Sequence, residues 1–475
     1  MNKLLRTSAL AVLLASTSAH AMAQTADERI AALEAKIAAL TGELSELKTE
    51  TKKANQELSK KLAATATLSN ARPTIASADG AQKFAVRGVV QFDAASYDRR
   101  SNGAGTDFNS GTNFRRARLG VEGTFAKSWN YALMGEFGGS ASESAQLNQA
   151  YVEYTGWKPL GDDTAVRLRL GAWATPTGLE DATAFPEALF MERPAVVEVA
   201  RNLAGGDGRT GVGAFANGER WYASAALTGA VIGAPATTEY DEQAGYLTRV
   251  AFSPVGGKDH GLHVGANVQG VLRMADTGAG AAKVTQLRLR ERPEIRVDGT
   301  RLVDTGALNA DGVTAYGGEL GAFYKNLQVS GEVYRIDVDR LNAANSRFGG
   351  YYVQGAWTIT GEHRAWSSAS GGFKGVKPAK NFSPADGTWG ALEVAARYSV
   401  LDLDDNAGLA GAATPAGGVR GGEQRIATLG VNWYPNAVYR FQAQYQRIDI
   451  DRLNAAGVQV GEDVDVVSFR SQFAF

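Results

Sequence analysis

The feature that most constrains the fold of this chain is an alternation of apolar and polar side chains that recurs from Phe84 to the C-terminus. It is clearest in the last residues, where Val467, Phe469 and Phe475 share one parity and Arg470 has the other. Successive side chains of a β-strand point to opposite faces of the sheet. The alternation therefore predicts a large β-sheet that has one apolar and one polar face.

The pattern resolves into sixteen segments of about ten residues, separated alternately by short turns and longer polar loops. An even number of strands with apolar-out and polar-in alternation is typical of bacterial transmembrane barrels. We therefore predict an all-β fold over residues 84–475, a 16-stranded antiparallel transmembrane β-barrel with both termini on the periplasmic side.

The connections between these segments support the same orientation. Residues 361–388 form the one long connection that the strand count places on the periplasmic side. Residues 284–292 would add a seventeenth strand and break the parity, so we expect them inside the fifth extracellular loop. The other long connections fall on the extracellular side: residues 93–113, 174–209, 273–312 and 402–423.

The first 23 residues have the pattern of a secretory signal peptide. Lys3 and Arg6 precede a short apolar stretch, and small residues follow up to Ala23. This composition predicts cleavage before Gln24. The apolar stretch is well short of the roughly 20 residues that a membrane-spanning helix needs. With the predicted barrel, the signal peptide indicates the outer membrane of a Gram-negative bacterium.

Two further segments precede the barrel. Residues 24–62 carry an apolar seam that alternates spacings of three and four, which predicts a coiled coil in the periplasm. The number of chains in this coiled coil stays open, and a single solvated helix is the alternative. Residues 63–83 are rich in Ala, Thr and Ser, which indicates a linker. The seam positions are Ile30, Leu33, Ile37, Leu40, Leu44, Leu47, Thr51, Ala54 and Leu58.

The composition excludes several classes of function. The chain has no cysteine, so it has neither a disulfide framework nor a thiolate metal site, and its four His lack ligand spacing. Its 49 basic and 50 acidic residues are balanced, which gives no support to a nucleic-acid partner. We therefore expect a chain that is not an enzyme and that carries no cofactor and no metal.

Arginines in the predicted strands indicate a wet interior. An Arg that faces lipid at the bilayer midplane costs about 2–4 kcal/mol, so arginines in the middle of a strand should face the lumen. In residues 114–123, for example, Arg116 and Arg118 have the parity opposite to that of Leu119. The barrel arginines assigned to the anion pathway are Arg116, Arg118, Arg167, Arg169, Arg273 and Arg397.

Loop residues extend this cationic pathway. Residues 174–209 form a long, partly apolar loop that we expect to fold inward and narrow the pore, with acids such as Glu192 among its arginines. Its arginines are Arg193, Arg201 and Arg209. The fifth loop adds a ladder of guanidinium groups with one parity, formed by Arg288, Arg290 and Arg292. The periplasmic connection adds a cationic exit patch of Lys374, Lys377 and Lys380.

Guanidinium groups match phosphate and carboxylate oxygens through paired donors, and rings of them select anions. The alternative is that these charges are paired with acids and hold the wall rigid. The candidate acids are Glu122, Glu136, Glu153 and Glu291.

The chain resembles the phosphate-selective porin O and P family over nearly all of residues 84–475. Matching segments include FRRARLGVEG, LNQAYVEYTGW, GAWATPTGLEDATAFPEALFMERP, RPEIRVDGTRLVDTG and WGALEVAARYSVLDL. The resemblance implies a homotrimeric anion channel for phosphate or polyphosphate, with loops three and five folded inward. By this resemblance, the arginine ladder of the family corresponds to Arg288, Arg290 and Arg292. The lysine site of the family has no counterpart, because residues 174–209 contain no lysine.

Two alternatives remain. A general, weakly selective porin would pass anions and cations almost equally. A secreted soluble all-β hydrolase or binding protein is the other, but GVGAF and GDGRTG lack a nucleophilic serine. We interpret the neighbouring His260 and His263 as a solvent-side, structural pair.

The barrel hypothesis predicts the solution behaviour of the mature chain. Because one face of the sheet should be apolar along its whole length, the chain without its signal peptide is expected to aggregate in aqueous buffer and to be monodisperse only in detergent or lipid. Size-exclusion chromatography with and without detergent checks this. A stable, folded monomer in plain buffer would contradict the barrel.

Overall fold

The computed structural model describes residues 26–61, 64–101, 103, 105–139, 146–161, 163–232, 241–277 and 284–475. The predicted signal peptide and its cleavage before Gln24 lie outside the described residues. The chain divides into two compact units, Met1–Thr65 and Ala66–Phe475. None of the helices in the described ranges is long and apolar enough to cross a membrane.

The first unit contains one long helix, α1, which runs from Ala26 to Lys61. The predicted coiled-coil segment is therefore helical. Its apolar seam is uncovered, since the Ile and Leu side chains from Ile30 to Leu47 are 54–64% exposed. The association of this seam with other chains stays a prediction.

The second unit is a closed barrel of sixteen antiparallel strands, as predicted. Each strand pairs with the next along the chain, and β16 pairs with β1 from Val464 opposite Arg99 to Ala474 opposite Val89, which closes the barrel. The strands are β1 Lys83–Arg99, β2 Gly111–Phe125, β3 Trp129–Glu136, β4 Gln146–Tyr154, β5 Ala165–Trp173, β6 Arg209–Asn217, β7 Trp221–Val231, β8 Ala244–Phe252, β9 His260–Arg273, β10 Leu308–Tyr324, β11 Leu327–Arg340, β12 Ser346–Thr358, β13 Ala391–Asp405, β14 Val419–Tyr434, β15 Tyr439–Asp451 and β16 Asp463–Ala474.

The two faces of the barrel follow the predicted parity. On β16, Val467 and Phe469 are exposed on the outside, whereas Ser468, Arg470 and Gln472 are buried inside. Apolar side chains thus meet lipid, and polar side chains meet the lumen. Residues 284–292 stay out of the barrel, because their short strands pair within the loop and with the start of β10.

Several strands extend beyond their predicted ends because charged residues continue into the lumen. β1 was expected to end at Phe92, since Asp93 has the character of a loop residue. Instead, Asp93 is fully buried and forms an ion pair with Arg470 across the β16–β1 seam, at 2.6 Å.

The predicted linker, residues 63–83, differs from expectation. It contains two short strands, Ala64–Ser69 and Arg72–Ser77, and the second pairs with the start of β1. Asn70 and Ala71 both have positive φ, which is the geometry of a two-residue hairpin turn. The segment therefore adds to the sheet beside β1.

The loop between β5 and β6 folds into the barrel, as predicted. It contains helix α2, Ala195–Ala204, and two short helical turns, Leu179–Ala182 and Phe185–Glu187. Strands on the far side hold its main chain. The carbonyl oxygen of Met191 accepts a hydrogen bond from Arg470 at 2.5 Å.

Other main-chain carbonyl oxygens of this loop accept hydrogen bonds from side chains of the barrel or the periplasmic connection. The carbonyl oxygen of Leu189 accepts hydrogen bonds from Asn432, Arg440 and Gln442. Those of Pro186, Glu187 and Glu192 accept from Arg440, Arg364 and Arg397, respectively.

The periplasmic connection between β12 and β13 also enters the barrel. Its short strands Trp366–Ser367 and Gly372–Phe373 form a hairpin, and Phe373 packs against Leu179 of the β5–β6 loop. Arg249 of β8 donates to the carbonyl oxygens of Ser370 and Gly371. Two segments from opposite ends of the barrel therefore meet inside it.

The Asp93–Arg470 pair generates a test of barrel closure. Removing one partner of a buried ion pair costs up to about 3–5 kcal/mol, and less in this case, because Glu192 still binds Arg470. Asp93→Ala is expected to lower the temperature at which the barrel unfolds in detergent, measured by circular dichroism. Asp98→Ala, an exposed residue on the same strand, is the matched control, and equal shifts in the two variants would contradict the role of the pair.

Candidate functional site

Two cavities lie on opposite sides of the turn Phe185–Glu187, which crosses the lumen. The upper cavity has a volume of about 200 Å³. It is lined by residues of β2 and of the β5–β6 loop, including Phe185. The lower cavity has a volume of about 430 Å³ and is lined by Pro186, Glu187 and residues near the periplasmic turns. The turn thus separates an extracellular chamber from a periplasmic one.

The upper cavity has an excess of positive charge. Six guanidinium groups line it, against the three carboxylates of Glu136, Glu198 and Asp207. The arginines are Arg115, Arg116, Arg118, Arg193, Arg201 and Arg296. Four of them were predicted, and Arg115 and Arg296 were not.

Arg115 reaches the lumen because of an irregularity in the strand pairing. The register between β1 and β2 shifts between Gln91 and Phe92, so Arg115 and Arg116 both point inward although they are neighbours. Arg115 binds Glu192 at 2.7 Å, and Arg116 donates to Gln91 at 2.6 Å. A strict alternation cannot predict such a bulge.

Phe185 organises the arginines around this cavity. The guanidinium carbons of Arg116 and Arg193 lie 3.7 Å and 3.8 Å from the centre of its ring, and that of Arg118 lies at 5.2 Å. Such cation–π contacts stabilise a guanidinium without neutralising it. The ring of Phe185 therefore holds positive charges at the wall of the cavity.

Loop carboxylates compensate part of this charge. Arg201 binds Asp181 and Asp207, both at 2.8 Å, and Arg193 binds Glu198 at 3.1 Å. Burial alone would raise the pKa of Glu198, but the nearby guanidinium groups of Arg201, Arg193 and Arg296 lower it to about 2. Glu198 is therefore ionised at neutral pH.

Three of the predicted arginines on the barrel wall are also paired with carboxylates. Arg118 binds Glu136 at 2.5 Å, Arg169 binds Glu153 at 2.6 Å, and Arg397 binds Glu294 at 2.5 Å. In this part of the wall, the structure has the paired arrangement that was the alternative to a free ladder. Arg167 instead donates to the carbonyl oxygen of Ala369 and to Asn217.

The fifth-loop arginines do not share one environment. Arg288 forms an ion pair with Asp304 and stays half exposed, Arg290 is exposed, and Arg292 is buried. The local backbone explains the difference, because Arg290 and Glu291 pair with Val303 and Asp304 and the chain then turns. The three guanidinium groups therefore differ in exposure and partners, and their action as a ladder for anions stays a prediction.

Two other predicted arginines have local structural contacts. Arg209 donates to the carbonyl oxygens of Asn202 and Gly205 at the end of α2, and to that of Gly229. Arg273 is exposed and donates to the carbonyl oxygen of Glu242.

The lower cavity carries the second cationic cluster. Arg72, Arg87, Lys377 and Arg440 line it, with the acids Glu122 and Glu187. Arg72 and Arg87 both form ion pairs with Glu122. Of the predicted exit lysines, Lys377 lines this cavity, whereas Lys374 and Lys380 are exposed elsewhere on the connection.

Sequence reasoning missed the three arginines of the lower cavity. Arg440 carried a usable signal, since it has the parity opposite to that of Tyr439 and Phe441 in β15. Arg72 carried none, because it lies in the segment interpreted as a linker. The interpretation of His263 as solvent-side is wrong, since this residue is buried inside the barrel between Glu319 and Trp366.

No group of three or more His, Asp or Glu side chains in the described part of the chain has the arrangement of a metal site. The fold and the two cavities define the class of protein, an outer-membrane barrel with charged chambers on either side of an internal loop.

Comparisons with known proteins agree with this class. The family model described as "Phosphate-selective porin O and P" matches residues 84–475. Porin O of Pseudomonas aeruginosa is 26% identical over 422 residues, which cover 84% of this chain and 90% of that protein. An uncharacterised protein of Caulobacter vibrioides is 25% identical over 410 residues, covering 81% of this chain and 74% of the relative.

A solved structure shares the fold. The anion-selective porin from Comamonas acidovorans superposes with a TM-score of 0.50 at 14% identity, covering 83% of this chain and all of that one. The chain belongs to the phosphate-selective porin O and P family and is an outer-membrane porin.

The low pKa of Glu198 predicts how the loop responds to acid. The folded pKa, about 2, lies below the ordinary value of 4.5, so the ionised form stabilises the folded loop. This contribution is fully present above about pH 4.5 and is lost as the pH falls through about 2. Single-channel currents in planar bilayers are therefore expected to be steady at about pH 5 and to fluctuate as the pH approaches 2.

Glu198→Gln should produce the fluctuating currents already at about pH 5, because it removes the ionised form. Glu219→Gln is the control, since Glu219 lies exposed in the turn between β6 and β7. Equally steady currents in wild type and Glu198→Gln would show that Glu198 does not hold the loop.

Proposed function

We propose that the barrel is an anion-selective diffusion pore, with phosphate or polyphosphate as the preferred anion. The excess of guanidinium groups in the upper cavity carries this proposal. An ion that enters from the extracellular side meets six arginines and three acids, passes the turn Phe185–Glu187, and then meets the cations of the lower cavity.

The selectivity for anions depends on which arginines are paired with carboxylates. An Arg bound to a carboxylate contributes a local dipole, whereas an Arg that is held by an aromatic ring or by neutral acceptors keeps its full charge. Arg116 is of the second kind, because its closest polar partner is Gln91 and the nearest carboxylate oxygen, of Glu192, lies at 3.9 Å. We propose Arg116 as the main selecting charge of the upper cavity.

Phosphate is favoured for chemical reasons. Guanidinium donors match two oxygens of a phosphate group in one plane, and several arginines face the same small cavity. Its volume of about 200 Å³ is that of about seven water molecules, enough for a partly hydrated anion. The family name supports phosphate, and the printed name of the Comamonas porin supports anions in general.

A general porin of weak selectivity is the second candidate. The ion pairs of Arg118, Arg169 and Arg397 favour it, since each cancels one charge on the wall. It predicts nearly equal permeability to anions and cations. In either case the family indicates a channel and not an enzyme.

We also propose the arrangement of the complete protein. Cleavage before Gln24 would leave α1 in the periplasm, where its exposed apolar seam would associate with the same helix of other copies. A homotrimer, which the resemblance to the family implies, would bring three such helices together. The exposed seam between Ile30 and Leu47 supports this association.

The reversal potential of single channels in a planar bilayer tests the proposed selectivity. With a gradient of KCl at neutral pH, wild type is expected to be anion-selective, and added phosphate should reduce the chloride current. Arg116→Gln should lower the ratio of anion to cation permeability up to about fivefold, because a unit charge at about 4 Å is worth about 1 kcal/mol in water.

The control for this experiment is Arg447→Gln, because Arg447 is exposed on the outer face of β15. It should leave the reversal potential unchanged. Cation selectivity of wild type would reject the anion channel, nearly equal permeabilities would favour the general porin, and currents indifferent to phosphate would reject the phosphate preference alone.

A further inference from the structure

The outer wall of the barrel carries an exposed cluster of two arginines and one aspartate. Arg335 and Asp337 lie on β11, and Arg347 lies opposite Asp337 on β12. Arg335 binds Asp337 at 2.7 Å, and Arg347 binds the same carboxylate at 3.1 Å. The side chains of the two arginines are 54% and 65% exposed, so both guanidinium groups can be reached from outside the barrel.

The position of this triad is unusual for charged residues. All three side chains are on the outer face, whereas the charged residues within the upper cavity face the lumen. Asp337 lies between the two guanidinium groups. Asp339, the next outward residue on β11, accepts a hydrogen bond from the side-chain amide of Asn345 at 2.9 Å and keeps its charge, so the two arginines and the two aspartates balance. An anion would therefore be bound by the exposed guanidinium donors and not by an excess of charge.

An apolar groove lies on the same strands, next to the triad. It has a volume of about 450 Å³ and is walled by Leu320, Val329, Val333, Tyr351 and Val353. These five side chains are 45–59% exposed, so the groove opens outward.

Glycines form the floor of this groove. Gly318 of β10 and Gly331 of β11 leave a depression where the neighbouring outward residues are bulky. An added Cβ at Gly318 would meet only Val333, at 3.5 Å, so this position has room for a larger side chain.

The groove and the triad form one continuous surface. Arg335 follows Val333 by two residues on β11, which places the triad about 7 Å beyond the end of the groove. The tight turns at Lys325 and beside Pro435 mark the opposite end of the barrel as periplasmic, because outer-membrane barrels have short periplasmic turns. The triad is therefore at the extracellular end of the wall.

Two tyrosines mark the membrane boundary between the groove and the triad. Tyr316 lies directly opposite Arg335 in the register of β10 and β11, and Tyr351 walls the groove on β12. Tyr side chains concentrate where the hydrocarbon meets the polar headgroups. The groove thus faces acyl chains, and the triad faces headgroups.

We propose that this surface binds the phosphorylated glycolipid of the outer leaflet, with one acyl chain in the groove and a headgroup phosphate on Arg335 and Arg347. A lipid that has both an acyl chain and a phosphate matches the two halves of the site at the observed spacing. The proposal rests on the location in the outer membrane and is independent of the selectivity of the pore.

Native mass spectrometry of the purified full-length protein in detergent tests the site, with lipid A as the probe. Wild type is expected to retain bound lipid A. Arg335→Gln combined with Arg347→Gln should weaken binding about tenfold, because both phosphate donors are lost. Gly318→Leu should also weaken it, since the side chain fills the groove while the triad stays intact.

The matched control is Arg425→Gln combined with Arg447→Gln, which removes two outward arginines from β14 and β15, away from the groove. This control variant is expected to bind lipid A as strongly as wild type does. Equal losses in the two double variants would reduce the effect to general surface charge and overturn the site. Unchanged binding in Gly318→Leu would overturn the acyl groove.

Two further measurements keep the proposal falsifiable. A zwitterionic probe, phosphatidylethanolamine, is expected to bind more weakly than lipid A, and equal binding would overturn recognition of the phosphorylated headgroup. Because the chain has no cysteine, Val353→Cys can be oxidised in isolated membranes as a single thiol. Disulfide-linked chains would put a second copy on this face and overturn the lipid site, whereas unlinked chains are expected.

Discussion

The structure depends on the need of every desolvated guanidinium group for an acceptor inside the barrel. Strand parity turns wall arginines such as Arg116, Arg118 and Arg470 away from lipid, and burial then requires partners for them. Arg470 shows the solution, because it binds Asp93 on the neighbouring strand and Glu192 on the internal loop. One side chain thereby closes the barrel and holds the loop in the lumen.

This requirement also limits what the lumen can do to ions. A wall whose arginines are all paired with carboxylates is stable, but it distinguishes little between anions and cations. In a wall of unpaired arginines, the positive charges would repel one another. The upper cavity lies between these limits, since the ring of Phe185 supports Arg116, whose nearest carboxylate oxygen is 3.9 Å away, whereas Arg193 is paired with Glu198. Aromatic support lets positive charge persist where a salt bridge would cancel it.

The sequence predicted the features that depend on alternation along a single strand. The parity of β16, the sixteen strands and the placement of residues 284–292 in a loop are of this kind. It could not predict contacts that depend on register or on chain reversal. The bulge that turns Arg115 inward, the hairpin in the predicted linker, and the burial of His263 under Trp366 arise only when distant segments meet.

The internal loop between β5 and β6 is held in the lumen by hydrogen bonds to its main chain. From Pro186 to Glu192, the barrel and the periplasmic connection bind carbonyl oxygens, which every amino acid possesses. A side chain in this stretch that faces a cavity, such as that of Glu187, can therefore be exchanged while the backbone keeps its path across the lumen. Descendants of this protein could acquire new permeant solutes by point substitution there, without rebuilding the scaffold that sets the aperture.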